Sequence, residues 1–385
     1  MMYSDLASYY YRWYHPRPVL ITQQRCDELR RLHAILLKCC HHFVAGWERW
    51  LPLGGRETAI LHEQERYPLR LGTWRPDYLA ATDGSLRLCE ITSRFFGHGV
   101  FLSWFAHDWA QDFLKAHPGA QWQDRYPALL DKMLELTAGR PRMCVLKSSD
   151  RTSEIRLYRR FYEAHGIDFS IFEAEQVERR RPEWDLPECT LISALNQRDI
   201  MAMEDGTLQA MMERGMISDM RNIFLVHDKR FMQLWFDDAF TGECLTAGET
   251  AFLRFHAIPT FALEDHLQEA LDHKDDYIIK PCRLGKSEGV YAGPLTPKAK
   301  WRRILRKPQG YIIQPFIPQR TFPTVWEGEP YEDYLCGMML CVDDEYFDSG
   351  LFRFSSLPVT NIGDDRKAAP IHSASPDLIP YCDVL

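Results

Sequence analysis

Two short apolar runs flank an amphipathic one between residues 143 and 172, and that spacing constrains the fold more than any other stretch. "MCVLK" (143–147) has the length and composition of a buried strand. "TSEIRLYRRFYEAHG" (152–166) has helical periodicity and stops at Gly166, and "IDFSIF" (167–172) is the next strand. A strand–helix–strand unit places its two strands parallel in one sheet, so this part of the chain is α/β. Thr152 or Ser153 offers a cap for the helix. A polar, proline-bearing loop at 179–189 then leads to a third strand, "TLISAL".

The flanking texture differs. Residues 21–50 carry Cys26, Leu29, Leu32, Ile35, Leu36 and Cys39 at helical spacing. From about 69 to 92 the pattern is strand, turn, strand, with Asp83-Gly84 as the hairpin signal. "GVFLSWFAHDWAQDFLKAH" reads as a helix, and helices are expected through much of 199–270. From 277 onward strands dominate: "YIIKP", "GVYAG", "GYIIQPF", "YLCGMMLCVDD" and "EYFDSGLFRFS". The expected organisation is a helical segment at 1–68, a first part of a core at 69–142, a β-α-β unit at 143–198, a helical segment at 199–270 and a strand-rich part at 271–385. One sheet assembled from both ends of the chain is compatible with this order.

Composition narrows the class of function. The 385 residues suggest two or three domains, and 45% apolar residues supply real cores. A formal charge of −8 gives no basic footprint, so nucleic acid is not an expected partner, whereas small anionic substrates are compatible with local Arg and Lys clusters. No basic segment followed by an apolar stretch opens the chain, and "AILLKCCHHFVAGW" is interrupted by Lys38, His41 and His42. Neither a secretory signal nor a membrane span is expected. Eleven cysteines without a C-x-x-C pair fit reduced thiols in the cytoplasm. Cys39-Cys40-His41-His42 are consecutive on a helix, where side chains diverge by about 100°, so convergence on one ion is not expected. "YYYRWYHPRP" near the start is read as packing against the body, with a substrate entrance or a dimer contact as the alternatives.

The stretch "YIIKPCRLGKSEGVYAG" (277–293) contains the letters of a phosphate-binding loop. The first glycine of that motif is missing, and a strand follows where a helix would be needed, so Lys286 is not read as a P-loop lysine. Lys280, at the end of an apolar strand, is the better candidate for meeting phosphate, with loop N–H groups adding neutral donors. The strand "GYIIQPFIPQ" ends in Gln314-Pro315-Phe316 and suits a flat adenine ring with edge hydrogen bonds. Upstream, "FLVHDKRFMQLW" places Lys229 at a helix start.

Two lysines followed by an apolar hinge strand resemble the order in ATP-grasp enzymes. The segment "RPDYLAATDGSLRLCEITSRFFGHG" (75–99) is similar to one in eukaryotic-type glutathione synthetases and glutathionylspermidine synthetases, which are circularly permuted ATP-grasp carboxylate–amine ligases. There an Arg-x-Asp precedes an Asp-Gly turn and a strand carrying Glu-Ile-Asn. The resemblance covers most of 70–370 through short motifs in order. It implies a permuted ATP-grasp fold with a β-α-β substrate-domain insertion and a helical amino-terminal segment. It also implies ATP and Mg²⁺ as cofactors, small carboxylate and amine substrates, and is compatible with a homodimer.

Residue by residue, the resemblance places Arg75 at the reacting phosphate and substrate, with Asp77 beside it. Glu90 stands at the metal-binding Glu and Thr92 where that family has Asn. Lys229 and Lys280 stand at the phosphate-binding lysines, Tyr291 at the tyrosine closing the flap, and Arg353 at the arginine for the substrate carboxylate. Asn196 and Arg198 of the β-α-β unit are weaker substrate candidates. Leu284 occupies a position where the family has a metal-binding Glu; Glu288 on the same loop or waters could replace the missing carboxylate, and a degraded site is the third option. Asn361, Arg366 and Lys367 lie in a late polar loop, compatible with either a nucleotide-facing or a plain surface role. The chemistry implied is transfer of a phosphoryl group to a carboxylate, then attack by an amine; a nucleotide-binding scaffold without catalysis and a small-molecule kinase are the alternatives.

Overall fold

The computed structural model describes residues 3–94, 96–149, 154–285, 287–360 and 366–385. Thr152, Ser153, Lys286 and Asn361 lie outside the described residues. The architecture is mixed helix and sheet, with four sheets among the described residues.

The seven-stranded sheet joins both halves of the chain. Its central strand, Glu329–Val342, pairs antiparallel with Thr73–Ala80 in the register Cys336 to Leu79, Gly337 to Tyr78 and Met338 to Asp77. Thr73–Ala80 turns at Gly84, whose φ of +80° suits glycine, and pairs with Leu86–Thr92. On the other side the central strand pairs with Phe352–Ser355, which pairs with Arg366–Ala368. Gly337 is required by a close approach, because a Cβ there would lie 2.3 Å from the Tyr78 ring. The long helix Gln23–Ala45, capped by the Thr22 hydroxyl on the Arg25 N–H, lays its apolar face on this sheet. Leu29, Leu32, Ile35 and Leu36 pack there with Trp74, Tyr78 and Met339, each buried leucine contributing about 2 kcal/mol.

The β-α-β reading corresponds to a parallel sheet. Arg142–Lys147 lies between Asp168–Glu173 and Cys189–Ala194, and Met216–Ile217 adds a short edge. The helix Ile155–Ala164 follows its first strand. A third, smaller sheet contains Tyr277–Pro281, Tyr291–Ala292, Tyr311–Pro315 and Phe261–Ala262. It has its own core of Leu263, Ile279, Trp301 and Ile313.

Several elements differ from expectation. "GVYAG" contributes only a two-residue strand, because Ser287 and Gly289 take positive φ and delay extension until Tyr291. "EYFDSGLFRFS" is two strands, Glu345–Ser349 and Phe352–Ser355, that pair with different parts of the central strand. The first 68 residues are not wholly helical: Val19–Ile21 forms a buried parallel strand between Pro370–His372 and Asp383–Val384. The 179–189 loop contains a helical turn, Arg181–Trp184, anchored by the buried Trp184. No helix among the described residues is long and apolar enough to cross a membrane.

Candidate functional site

A cavity of about 1390 Å³ opens between the small sheet, one face of the large sheet and the carboxyl end of the parallel sheet. Strand alternation explains part of its lining. On Thr73–Ala80, Trp74 and Tyr78 enter the core, so Arg75, Asp77 and Leu79 face the cavity. On Phe352–Ser355, Phe352 and Phe354 enter the core and Arg353 faces the cavity.

Leu86–Thr92 breaks the rule. Alternation from the core residues Leu86 and Leu88 would send Glu90 into the core. The register shifts between Asp77 and Tyr78, so that Asp77 pairs with Glu90 and Tyr78 with Leu88, leaving Cys89 as an extra residue. Beyond this bulge Ile91 takes the core position, and Cys89, Glu90 and Thr92 all line the cavity.

Lys229 meets Glu90, and Lys280 stands beside it on the cavity wall. Lys229 is 2% exposed, and its Nζ lies 2.9 Å from Glu90 Oε1 and donates to the Leu284 carbonyl at 2.7 Å. Lys280 points inward from Tyr277–Pro281, donates to the Cys89 carbonyl at 3.1 Å, and is pushed down in pKa by burial. Burial pulls the Glu90 carboxyl upward, but Lys229 foremost among its neighbours outweighs this and holds the group at about 2. Asp228 supports the segment: it caps the turn at the Arg230 N–H and accepts from Arg283 at 3.1 Å, while the Lys229 N–H donates to the Cys282 carbonyl. The segment before Lys229 is thereby tied to the loop after Lys280.

The apolar slot beside the lysines is formed by Ile258, Ile278, Phe316 and Ile317, with Gln314 at its base. The Thr260 hydroxyl donates to the Ile258 carbonyl at 2.9 Å, so its oxygen accepts from Gln314 Nε2 at 2.8 Å. That network fixes the amide orientation and leaves Gln314 Oε1 a buried acceptor with no partner among the described residues.

Across the cavity, Asp77 takes Nε and Nη2 of Arg75 at 2.7 and 2.8 Å and Nη2 of Arg353 at 3.0 Å. Arg75 Nη1 donates to the His98 carbonyl at 2.9 Å. The neighbouring Cys89 thiol, with the Arg353 guanidinium that donates to the Cys336 sulfur at 3.2 Å, brings the Cys336 thiol down to about 7 against the upward pull of burial. The far end is built differently: Lys147 and Glu173 pair at 2.8 Å at the carboxyl ends of adjacent parallel strands, near Ile155 and Arg156, with Leu6 and Tyr10 lining the wall. Glu154 is buried, and its carboxylate accepts the N–H groups of Gly99, Phe101 and Leu102, fixing the loop that carries His98.

Arg75, Asp77, Glu90, Thr92, Lys229, Lys280, Gln314, Phe316 and Arg353 therefore share one cavity. The remaining candidates stand elsewhere. Tyr291 packs on the small core with its ring 4.8 Å from the Lys300 ammonium, because strand alternation turns its neighbour Val290 to the cavity. Glu288 is exposed on the loop and outside the cavity lining, whereas Leu284 is part of it. Asn196 caps the helix Gln197–Ala202 at the Asp199 N–H, and Arg198 is exposed; neither lines the cavity. Lys367 lines it, while Arg366 turns to the buried Asp333. Sequence reasoning missed His227, Lys147 and Glu173. The last two carried a signal, since each ends an apolar parallel strand where ligand crevices form.

The parts define a mixed α/β protein with a cation-lined cavity where two sheets and a parallel subdomain meet. A family model described as the AnkG N-terminal domain matches residues 32–225, half of the chain, and the chain belongs to that family. A curated relative, the ATP-grasp enzyme ankG of Aspergillus thermomutatus, is 22% identical over 91% of this chain and 87% of its own length. The family match covers Arg75, Asp77, Glu90 and the parallel sheet; the relative's alignment reaches far beyond it.

Proposed function

We propose that the chain is an ATP-dependent carboxylate–amine ligase of the ATP-grasp class, permuted in the manner of glutathione synthetases. The observation that carries this reading is the convergence of Lys229, Lys280 and Glu90 on the same cavity as Arg75, Asp77 and Arg353. Likeness over nearly the whole chain to an ATP-grasp enzyme supports it. So does chain order: the Glu90 strand precedes the Lys280 strand, as permutation requires.

In this reading the adenine ring occupies the slot at Gln314 and Phe316, and the phosphates lie toward Lys229 and Lys280. A substrate carboxylate held by Arg75 or Arg353 attacks the terminal phosphorus, and the bond to the bridging oxygen breaks, releasing ADP. An amine then attacks the acyl carbon of the acylphosphate, the carbon–oxygen bond breaks, phosphate leaves, and the amine loses a proton. The buried cations stabilise charge on the phosphoryl oxygens without a covalent protein intermediate. Glu90, ionised and partly exposed to the cavity, and the Thr92 hydroxyl would hold Mg²⁺, which supplies further neutralisation of phosphate charge. Glu288 does not fit that role in this arrangement.

The test is incubation with ATP, Mg²⁺ and pooled amino acids and short peptides, followed by mass spectrometry. ADP, phosphate and a new amide mass are expected. A phosphorylated product without an amide would make the protein a kinase, and ATP binding without turnover a scaffold. Absence of ATP binding would overturn the nucleotide reading.

A further inference from the structure

His227 sits two residues before Lys229 and immediately after the π-helical turn Asn222–Val226, which its own N–H closes by bonding the Asn222 carbonyl at 2.8 Å. Such wide turns recur at functional sites. The side chain is 2% exposed and lines the cavity. Its Nδ1 accepts the Ser93 N–H at 3.5 Å, so the ring proton resides on Nε2. Nε2 has no hydrogen-bond partner among the described residues. A buried donor left unpaired costs free energy comparable to a hydrogen bond, which a ligand acceptor would recover. With its lone pair on Nδ1 already engaged, the ring offers a donor and not a metal ligand. Lys229, Glu90, Arg94 and Asp228 are its charged neighbours, and Lys280 lines the same cavity, so three cations stand against two carboxylates and the acceptor favoured there is an anionic oxygen.

We infer that His227 is a ligand-binding residue whose Nε2–H donates to a non-bridging oxygen at the β- or γ-position of a nucleotide phosphate chain. This rests on the nucleotide reading above. His227 adds directionality where the lysines supply charge. Burial, with Lys229 beside it, holds the imidazole well below its usual range, in keeping with a neutral donor.

The test compares binding of a nonhydrolysable ATP analogue, ADP and AMP by calorimetry across the unaltered chain, His227→Leu, His227→Gln and Lys280→Met. His227→Leu should weaken the analogue about tenfold or more while AMP changes little, with ADP sharing the loss for an oxygen on the β-phosphate and spared for one on the γ-phosphate. His227→Gln, whose amide N–H can stand in for Nε2–H, should recover most of that loss. Equal losses for all three nucleotides would indicate a structural role and overturn the assignment. So would normal analogue binding by His227→Leu alongside weakened binding by Lys280→Met. Failure of the unaltered chain to bind the analogue overturns the nucleotide reading and this assignment with it. If His227→Leu does not fold, the unaltered protein with ¹⁵N-labelled histidine decides: the Nε2–H resonance should shift on adding the analogue, and an unmoved resonance refutes the contact.

Discussion

Replacing Asp77 by Asn tests the arginine cluster directly. Its carboxylate is 4% exposed and receives three N–H groups from two guanidiniums, at 2.7, 2.8 and 3.0 Å. Removing its charge leaves two like charges facing each other across a neutral amide. Breaking a fully buried pair costs about 3–5 kcal/mol, but solvent reaches the Arg75 and Arg353 side chains, which are 14% and 29% exposed. About 2–3 kcal/mol is the expected loss, equivalent to roughly 3 °C in melting temperature for a chain of this size. Scanning calorimetry on Asp77→Asn, Arg353→Met and the double variant measures it. The coupling between the two sites should be on the order of 1 kcal/mol, since each contacts the other directly. Inorganic phosphate should raise the melting temperature of Asp77→Asn more than that of the parent, because an anion replaces the lost charge. Additive effects, or a melting temperature within about 1 °C of the parent, would refute the view that Asp77 holds the two arginines together.

Gln314→Leu removes the oriented acceptor at the base of the apolar slot. ATP affinity should fall about tenfold with GTP affinity little changed, and an unaltered ATP-to-GTP ratio in calorimetry would contradict adenine readout there. Glu90, held at about 2 against an ordinary 4.5, binds its proton less tightly folded than unfolded. Its contribution to stability is present above pH 4.5, is lost as pH falls, and disappears below about 2; its full size is about 3 kcal/mol. In urea denaturation the stability gap between the parent and Glu90→Gln should be constant from pH 7 to 5 and narrow below that, and a gap unchanged down to pH 3 would exclude the role. Gly337→Ala should destabilise the chain, because the added methyl meets the Tyr78 ring, and a denaturation midpoint equal to the parent's would show that the ring yields freely.

Elements whose signal is local were readable from sequence. The period of Cys26, Leu29, Leu32 and Leu36 marks a helix because one face must bury, and the observed helix Gln23–Ala45 carries all four in its core. The Asp83-Gly84 turn marks a hairpin because only a few residue types tolerate its backbone. What depends on distant partners was not legible. Val19–Ile21 is too short to announce itself, and it becomes a strand only because Pro370–His372 and Asp383–Val384 flank it. Likewise, Asn196 and Arg198 are polar residues after a strand, with nothing local to say that one would cap a helix and the other face solvent.

The site divides along the same line. Lys280, Arg75 and Arg353 end or alternate along strands whose period gives their facing, so a cavity collecting them follows from correct strand assignments. Glu90 is a harder case, because strict alternation contradicts its role: with Leu86 and Leu88 in the core, it belongs on the wrong face. Only the extra residue at Cys89, opposite the Asp77–Tyr78 step, brings it round to Lys229. A bulge is invisible to periodicity, since it exists in the pairing of two strands and not in either one. The same step leaves Cys89 with its carbonyl to Lys280 and its thiol to the Asp77 carbonyl, so one irregularity links the lysine, the acid and the arginine cluster. Leu284 then has a physical context. Its backbone carbonyl already receives the Lys229 ammonium. This loop contributes a main-chain oxygen to that ammonium, and Glu90 carries the negative charge that faces the two lysines.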